Sequence, residues 1–258
     1  MSKPMLVNTG SKYADRKVII CIPARYGSTR FPGKSLAILA GKPIIQWVYE
    51  RAIKSKADDV IIATDNEKIA ETVNNFGGKS IMTSPEHISG TDRIWEAVQK
   101  IDCDIVINVQ GDEPLIDIAT IDRLIDALSS NPEIEMGTVA VKSDRSVIGS
   151  DPNAVKVVLS NQNYAIYFSR SEVPYDRNNT GGYPIYLHMG IYGFRRDILK
   201  RFVELPPSLL ERCESLEQLR ALDNGIKIFT IISEEKNGFG IDTPEDLEKA
   251  EEIFKQIY

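Results

Sequence analysis

Ile22-Pro-Ala-Arg-Tyr-Gly-Ser-Thr-Arg-Phe-Pro-Gly-Lys34 follows directly on the apolar run Lys17–Cys21. The run has the length and composition of a buried strand, so the residues after it form a loop at the strand's carboxyl end. That loop gathers Arg25, Arg30 and Lys34 with the hydroxyls of Ser28 and Thr29 and the glycines Gly27 and Gly33. Positive charge and free backbone N–H groups at one point suit a polyphosphate. In open α/β sheets the carboxyl end of a strand is also where ligands bind.

Outward from this loop, strand-like and helix-like segments alternate. Strands are expected at Val18–Pro23, Asp59–Thr64, Lys79–Thr83 and Asp104–Gln110, and helices at Pro43–Lys54, Glu67–Phe76 and Gly90–Ile101. Such β-α-β alternation predicts an α/β fold with a parallel sheet covered on both faces. The second half is less regular. It carries expected helices at Asp117–Ser130, Leu209–Leu222 and Thr243–Ile257. Expected strands there are Met136–Val141, Val155–Leu159, Tyr164–Ser169, Gly190–Phe194 and Ile226–Ile232. Residues 1–16 read as a polar tail without the apolar core of a signal peptide. Residues 17–258 read as one domain, 17–132 being a nucleotide-binding half and 133–258 a second half.

Composition narrows the function. With 258 residues, 42% hydrophobic and 26% charged, the chain is an ordinary globular protein. A net charge of −6 gives no general reason to bind nucleic acid or an anionic membrane, so the basic loop must act locally. No apolar run approaches the roughly 20 residues of a membrane span. Three well-separated cysteines read as free thiols of a reducing cytoplasm, and two histidines are too few for a histidine-based metal centre. A Walker A loop is excluded: five residues separate Gly27 from Gly33 where four are needed, and Pro32 removes a donor. The dinucleotide pattern of three spaced glycines after the first strand is absent as well.

Two acidic positions complete the reading. Gln110-Gly-Asp-Glu-Pro114 follows the most apolar strand and puts Asp112 just past its carboxyl end. By pattern alone Asp112 is either a Mg²⁺ ligand or the head of an Asx-type turn. Asp242 precedes Thr243, the expected N-cap of the last helix, and is either a second ligand or part of that cap. One Mg²⁺ commonly takes one or two carboxylates, with phosphate oxygens and water completing its shell.

Taken together, eight segments resemble the 3-deoxy-manno-octulosonate (Kdo) cytidylyltransferase family. They are Ile22–Lys34, Ser89-Gly-Thr-Asp-Arg93, Asn108-Val-Gln-Gly-Asp-Glu-Pro114 and Asn153-Ala-Val-Lys-Val-Val158, then Tyr167-Phe-Ser-Arg170, His188-Met-Gly-Ile-Tyr192, Leu216-Glu-Gln-Leu-Arg220 and Asp242-Thr-Pro-Glu-Asp246. The resemblance runs from about residue 17 to 250, in the family's order. It implies a Rossmann-like nucleotidyltransferase fold, a central mostly parallel mixed sheet with helices on both faces. It also implies transfer of CMP from CTP to Kdo with release of pyrophosphate, dependence on Mg²⁺, and a cytoplasmic homodimer that feeds lipopolysaccharide assembly.

By the same resemblance Asp112 and Asp242 hold the metal. Arg25 and Lys34 bind the CTP phosphates, with Ala24, Ser28, Thr29 and Arg30 beside them. Ser89, Gly90 and Arg93 border the nucleotide. Gln110, Arg170, His188, Tyr192, Glu217 and Gln218 line the sugar-acid pocket. The last five of these also have a plain structural reading: a surface ion pair for Arg170, a satisfied half-buried ring for His188, packing for Tyr192, a solvated helix face for Glu217 and Gln218. Three rivals stand beside this reading. They are the 8-amino analogue of Kdo as substrate, a sialic-acid cytidylyltransferase, and a catalytically silent nucleotide-binding protein. The sialic-acid enzymes' usual phosphate loop, Ala-Arg-x-Gly-Ser-Lys, departs from Ser28–Lys34 here.

Overall fold

The structure, a computed structural model, describes residues 16–27, 30–178, 180–234 and 240–257. β1 (Val18–Ala24) leads to a short 3-10 turn at Lys34–Leu36, a small hairpin of β2 (Ile38–Leu39) and β3 (Lys42–Pro43), and α1 (Ile44–Ala52). Next come β4 (Asp59–Thr64), α2 (Glu67–Asn75), β5 (Ser80–Met82), α3 (Gly90–Val98), β6 (Ile105–Asn108) and α4 (Ile118–Ser130). The second half holds β7 (Met136–Ser143), α5 (Arg145–Ile148), β8 (Lys156–Leu159), β9 (Ala165–Ser169) and β10 (Ile185–Arg195). It closes with α6 (Arg196–Glu204), α7 (Leu209–Glu214), α8 (Gln218–Asp223), β11 (Ile228–Ser233) and α9 (Pro244–Ile257).

These strands build one sheet in the order β11-β7-β10-β6-β1-β4-β5, with β8 attached to β10 and β9 to β8. β6, β1, β4 and β5 are mutually parallel. β10 runs antiparallel to both β6 and β7, and β11 parallel to β7. The result is the expected mostly parallel mixed sheet. Val18, Ile20 and Ile22 of β1 enter one buried cluster with α1 and α4, while Ile19 and Cys21 enter a second with α3 and α6. A strand packed on both faces must be apolar throughout, which is why β1 shows no alternation.

The topology creates the site. From β1 the chain moves outward to β4 and β5, then returns to place β6 on the other side of β1. The loops after β1 and β6 therefore diverge at the switch point where open α/β sheets bind ligands.

Two expectations need correction, and one helix was missed. The single helix Leu209–Leu222 is two, because Ser215 adopts a left-handed conformation (φ 52°, ψ 48°) and breaks it. β10 is eleven residues long rather than the short Gly190–Phe194 strand, since pairing with β7 extends it to Ile185. The helix α6, unassigned by the sequence reading, packs Ile198, Leu199 and Phe202 into the core. Residues 1–15 of the expected tail, and Ser28 and Thr29, lie outside the described residues.

Candidate active site

The turn after β6 is pressed against the end of β1. A Cβ on Gly111 would stand 2.9 Å from the backbone oxygen of Pro23, so only glycine lets the two loops approach this closely. The turn puts Asp112 beside the loop that carries Lys34. The segment before α9 is then tied to the same turn, because the Ile241 N–H donates to the Asp112 carbonyl at 2.9 Å. Thr243 and Asp246 fix the next residues: Thr243 Oγ1 accepts from Asp246 N–H, and the Asp246 carboxylate accepts from the N–H groups of Asp242 and Thr243, each at 3.2 Å. This is a capping arrangement, and it leaves the Asp242 carboxylate free to point back at Asp112.

The two carboxylates meet at one nitrogen. Lys34 Nζ contacts Asp112 Oδ2 and lies 2.9 Å from Asp242 Oδ1. Arg30 donates to Asp242 Oδ2 at 2.8 Å. Burial opposes the Lys34 charge, but the two carboxylates, Asp112 foremost, outweigh it and raise the ammonium pKa. Burial pushes the Asp242 pKa up, and Lys34 and Arg30 overcome that and hold it below the usual range.

Around this cluster opens a cavity of about 310 Å³. Ten of the residues expected from sequence line it: Ala24, Arg25, Arg30, Lys34, Ser89, Gly90, Arg93, Gln110, Asp112 and Asp242. Ser89 caps α3, its hydroxyl accepting from the Asp92 N–H, so the positive end of that helix faces the cavity. Arg93 borders the space without offering its charge. Its guanidinium is buried against Thr83 Oγ1 (2.6 Å) and Asp65 (2.7 Å).

Of the residues expected on the sugar-acid side, His188, Tyr192 and Glu217 form an adjoining cluster rather than part of this lining. Gln110 joins the two, donating to Asn108 (3.2 Å) and to the Gly190 carbonyl (3.1 Å) of β10. Tyr192 pairs with Asn108 across the sheet, and its ring lies 5.4 Å from that of His188. His188 Nε2 is 2.9 Å from Thr138 Oγ1, and desolvation pulls its pKa down to about 3, so the ring is neutral. Desolvation, with Glu217 nearby, raises the Tyr192 pKa. Glu217 accepts from Thr91 Oγ1 (2.6 Å) on α3, and burial raises its pKa. Gln218 is buried in the first turn of α8.

Arg170 departs from expectation. It does not line the cavity around Lys34, and its guanidinium donates to the carbonyls of Glu214 (2.7 Å), Pro152 (2.8 Å) and Ser215 (3.3 Å). It braces the break between α7 and α8, two residues before Glu217. Sequence reading also passed over His87 and Ile88, which line the cavity. His87 is held by Glu96, whose carboxylate accepts from Ser84 N–H. A lone histidine in a loop gave no signal.

The fit of a hard divalent cation is tested by the donor set. Among the described residues no group of three or more His, Cys, Asp or Glu side chains could hold a metal. Two all-oxygen carboxylates converging on one point match Mg²⁺, which keeps water and phosphate in the rest of its shell. A softer metal that needs nitrogen or sulfur finds no such set.

A family model described as cytidylyltransferase matches residues 19–228. A 3-deoxy-manno-octulosonate cytidylyltransferase of Thermodesulfovibrio yellowstonii is 56% identical over 249 residues, covering 91% of this chain and 97% of its own. An 8-amino-3,8-dideoxy-manno-octulosonate cytidylyltransferase of Shewanella sp. is 49% identical over 240 residues, covering 91% and 97%. A solved CMP:2-keto-3-deoxy-manno-octonic acid synthetase complexed with CTP superposes with a TM-score of 0.90 at 43% identity, covering 94% of this chain and all of that one.

Proposed function

The chain belongs to the cytidylyltransferase family, and we propose that it transfers CMP from CTP to the anomeric hydroxyl of Kdo, releasing pyrophosphate. The observation that carries this reading is the convergence of Asp112 and Asp242 beside Arg25, Arg30 and Lys34 at the β1/β6 switch point.

Arg25, Arg30 and Lys34, with the N-terminus of α3, grip the triphosphate. The sugar hydroxyl attacks the α-phosphorus; the new O–P bond forms as the bond to the β-phosphate oxygen breaks, and the hydroxyl proton leaves to solvent. Transfers of this kind rest on positioning and charge neutralisation and need no covalent intermediate on a side chain. Asp112 and Asp242 are the residues that hold Mg²⁺. Bound there, the ion supplies charge neutralisation and acidifies the attacking hydroxyl. Gln110, His188, Tyr192 and Glu217 shape the sugar-acid side. The neutral His188 ring offers hydrogen bonds rather than charge, and Arg170 acts by holding the segment that carries Glu217.

A second reading, the 8-amino analogue as acceptor, is favoured by the likeness to the Shewanella enzyme. Pyrophosphate release from CTP and Mg²⁺, measured in parallel with Kdo, its 8-amino analogue and sialic acid, distinguishes the two. Release with none of the three sinks the enzymatic reading. The product serves lipopolysaccharide assembly, in the cytoplasm, by a homodimer. Buried free thiols at Cys21 and Cys103 suit a reducing compartment, and no helix among the described residues is long and apolar enough to cross a membrane.

A further inference from the structure

Lys34 does more here than wait for a phosphate. Its ammonium contacts both carboxylates at once, and Arg30 takes the second oxygen of Asp242. One nitrogen reaching both aspartates means that their oxygens are no farther apart than two hydrogen bonds laid end to end. Mg²⁺ binds carboxylate oxygens at about 2.0–2.1 Å, so an ion shared by these two groups needs the space that the ammonium fills. Ammonium and divalent ion cannot share that space, and at such a distance they repel. With the Lys34 side chain only 16% exposed, solvent screens the contact weakly.

We propose that Lys34 is a positioning residue: it holds Asp112 and Asp242 together until nucleotide arrives, and a divalent ion takes both carboxylates only after the triphosphate draws Lys34 away. Two carboxylates confined this closely without a cation repel and turn apart, which would dismantle the site between turnovers. A lysine suits the exchange, being a compact charge on a flexible stem. The triphosphate offers it several negative charges within the same cavity, where Arg25 and Arg30 also lie. The nucleotide therefore binds before the shared ion. The proposal rests on the reading of Asp112 and Asp242 as metal ligands.

The test is Mn²⁺ binding, followed by the electron paramagnetic resonance signal of the free ion. Without nucleotide, wild type should bind Mn²⁺ no better than Asp242→Asn. Lys34→Met should bind it at least ten-fold more tightly, and Lys34→Met/Asp242→Asn should lose that gain. If nucleotide-free wild type already holds Mn²⁺ at a site that Asp242→Asn abolishes, Lys34 blocks nothing and the proposal falls while the ligand reading stands. That comparison needs no Lys34 variant, so it decides even if Lys34→Met does not fold. If Asp242→Asn leaves Mn²⁺ binding unchanged in the presence of CTP as well, the ligand reading fails and carries the proposal with it.

Discussion

Ile241 and Asp112 are joined by one main-chain hydrogen bond of 2.9 Å, and that bond sets the register in which the next residue, Asp242, faces Asp112. The backbone thus fixes where the two residues meet, and Lys34 holds their carboxylates together there. Asp112→Asn and Asp242→Asn should each lower kcat by at least 100-fold, about 3 kcal/mol of transition-state stabilisation. Thermal unfolding should shift by only a few degrees. A variant that keeps most of the wild-type rate in saturating Mg²⁺ removes its carboxylate from the metal site.

The tight approach of the β6 turn to β1 predicts an asymmetry between two glycines. In Gly111→Ala the new methyl meets the Pro23 carbonyl, which is backbone and cannot rotate away. The expected cost is about 1–3 kcal/mol of stability, with kcat reduced because Asp112 moves. At Gly90 a Cβ would meet the Pro23 side chain at 3.4 Å, an ordinary contact. Gly90→Ala should therefore fold nearly as well as wild type, and denaturant midpoints of the two variants make the comparison.

Arg170 spans three carbonyls with one planar group. Its loss should loosen the α7–α8 break and hence Glu217, while the phosphate loop stays intact. Arg170→Ala should raise KM for the sugar acid several-fold and leave KM for CTP within two-fold. Arg170→Lys should rescue little, since a single ammonium cannot reproduce the fork. Equal effects on both substrates would contradict this.

Lys156 is fully buried, and its ammonium donates to the carbonyls of Asp151 and Arg170. Lys156→Met keeps the stem and strands both acceptors. The expected loss is about 2 kcal/mol, read as a lower urea midpoint with an unchanged slope. An unaltered midpoint would mean that water replaces the ammonium at no cost.

His188 gives a pH signature. Its folded pKa of about 3 lies below the ordinary value of 6.5, so between these limits the unfolded chain binds a proton that the folded one refuses. Its contribution is complete above pH 6.5 and is lost as pH falls towards 3, at up to about 1.4 kcal/mol per pH unit. Burial and Asp112 push Glu113 the other way, up to about 8, so the difference between wild type and His188→Gln isolates the ring. From pH 7 to 5 the variant should lose less stability than wild type; parallel curves would show that His188 is not shielded.

What was legible in the sequence had a one-dimensional signature. β1 and its basic loop, the Asp112 turn, and Thr243-Pro244 at the head of α9 each carry their chemistry in consecutive residues. Features set by tertiary contact were not legible. Ser215 in a left-handed conformation looks like any serine, so the break between α7 and α8 was hidden. The direction of Arg170 is decided by carbonyls at Pro152, Glu214 and Ser215, two of them more than 40 residues away. His87 reaches the cavity because Glu96, one helix later, holds its ring.

Lys34 and Asp242 are separated by 208 positions along the chain, yet they touch. The loop with Lys34 is therefore synthesised well before its partner, and the contact can form only once the segment carrying Asp242 has been added. A chain cut short between the two has the basic loop without the carboxylate that closes the cluster.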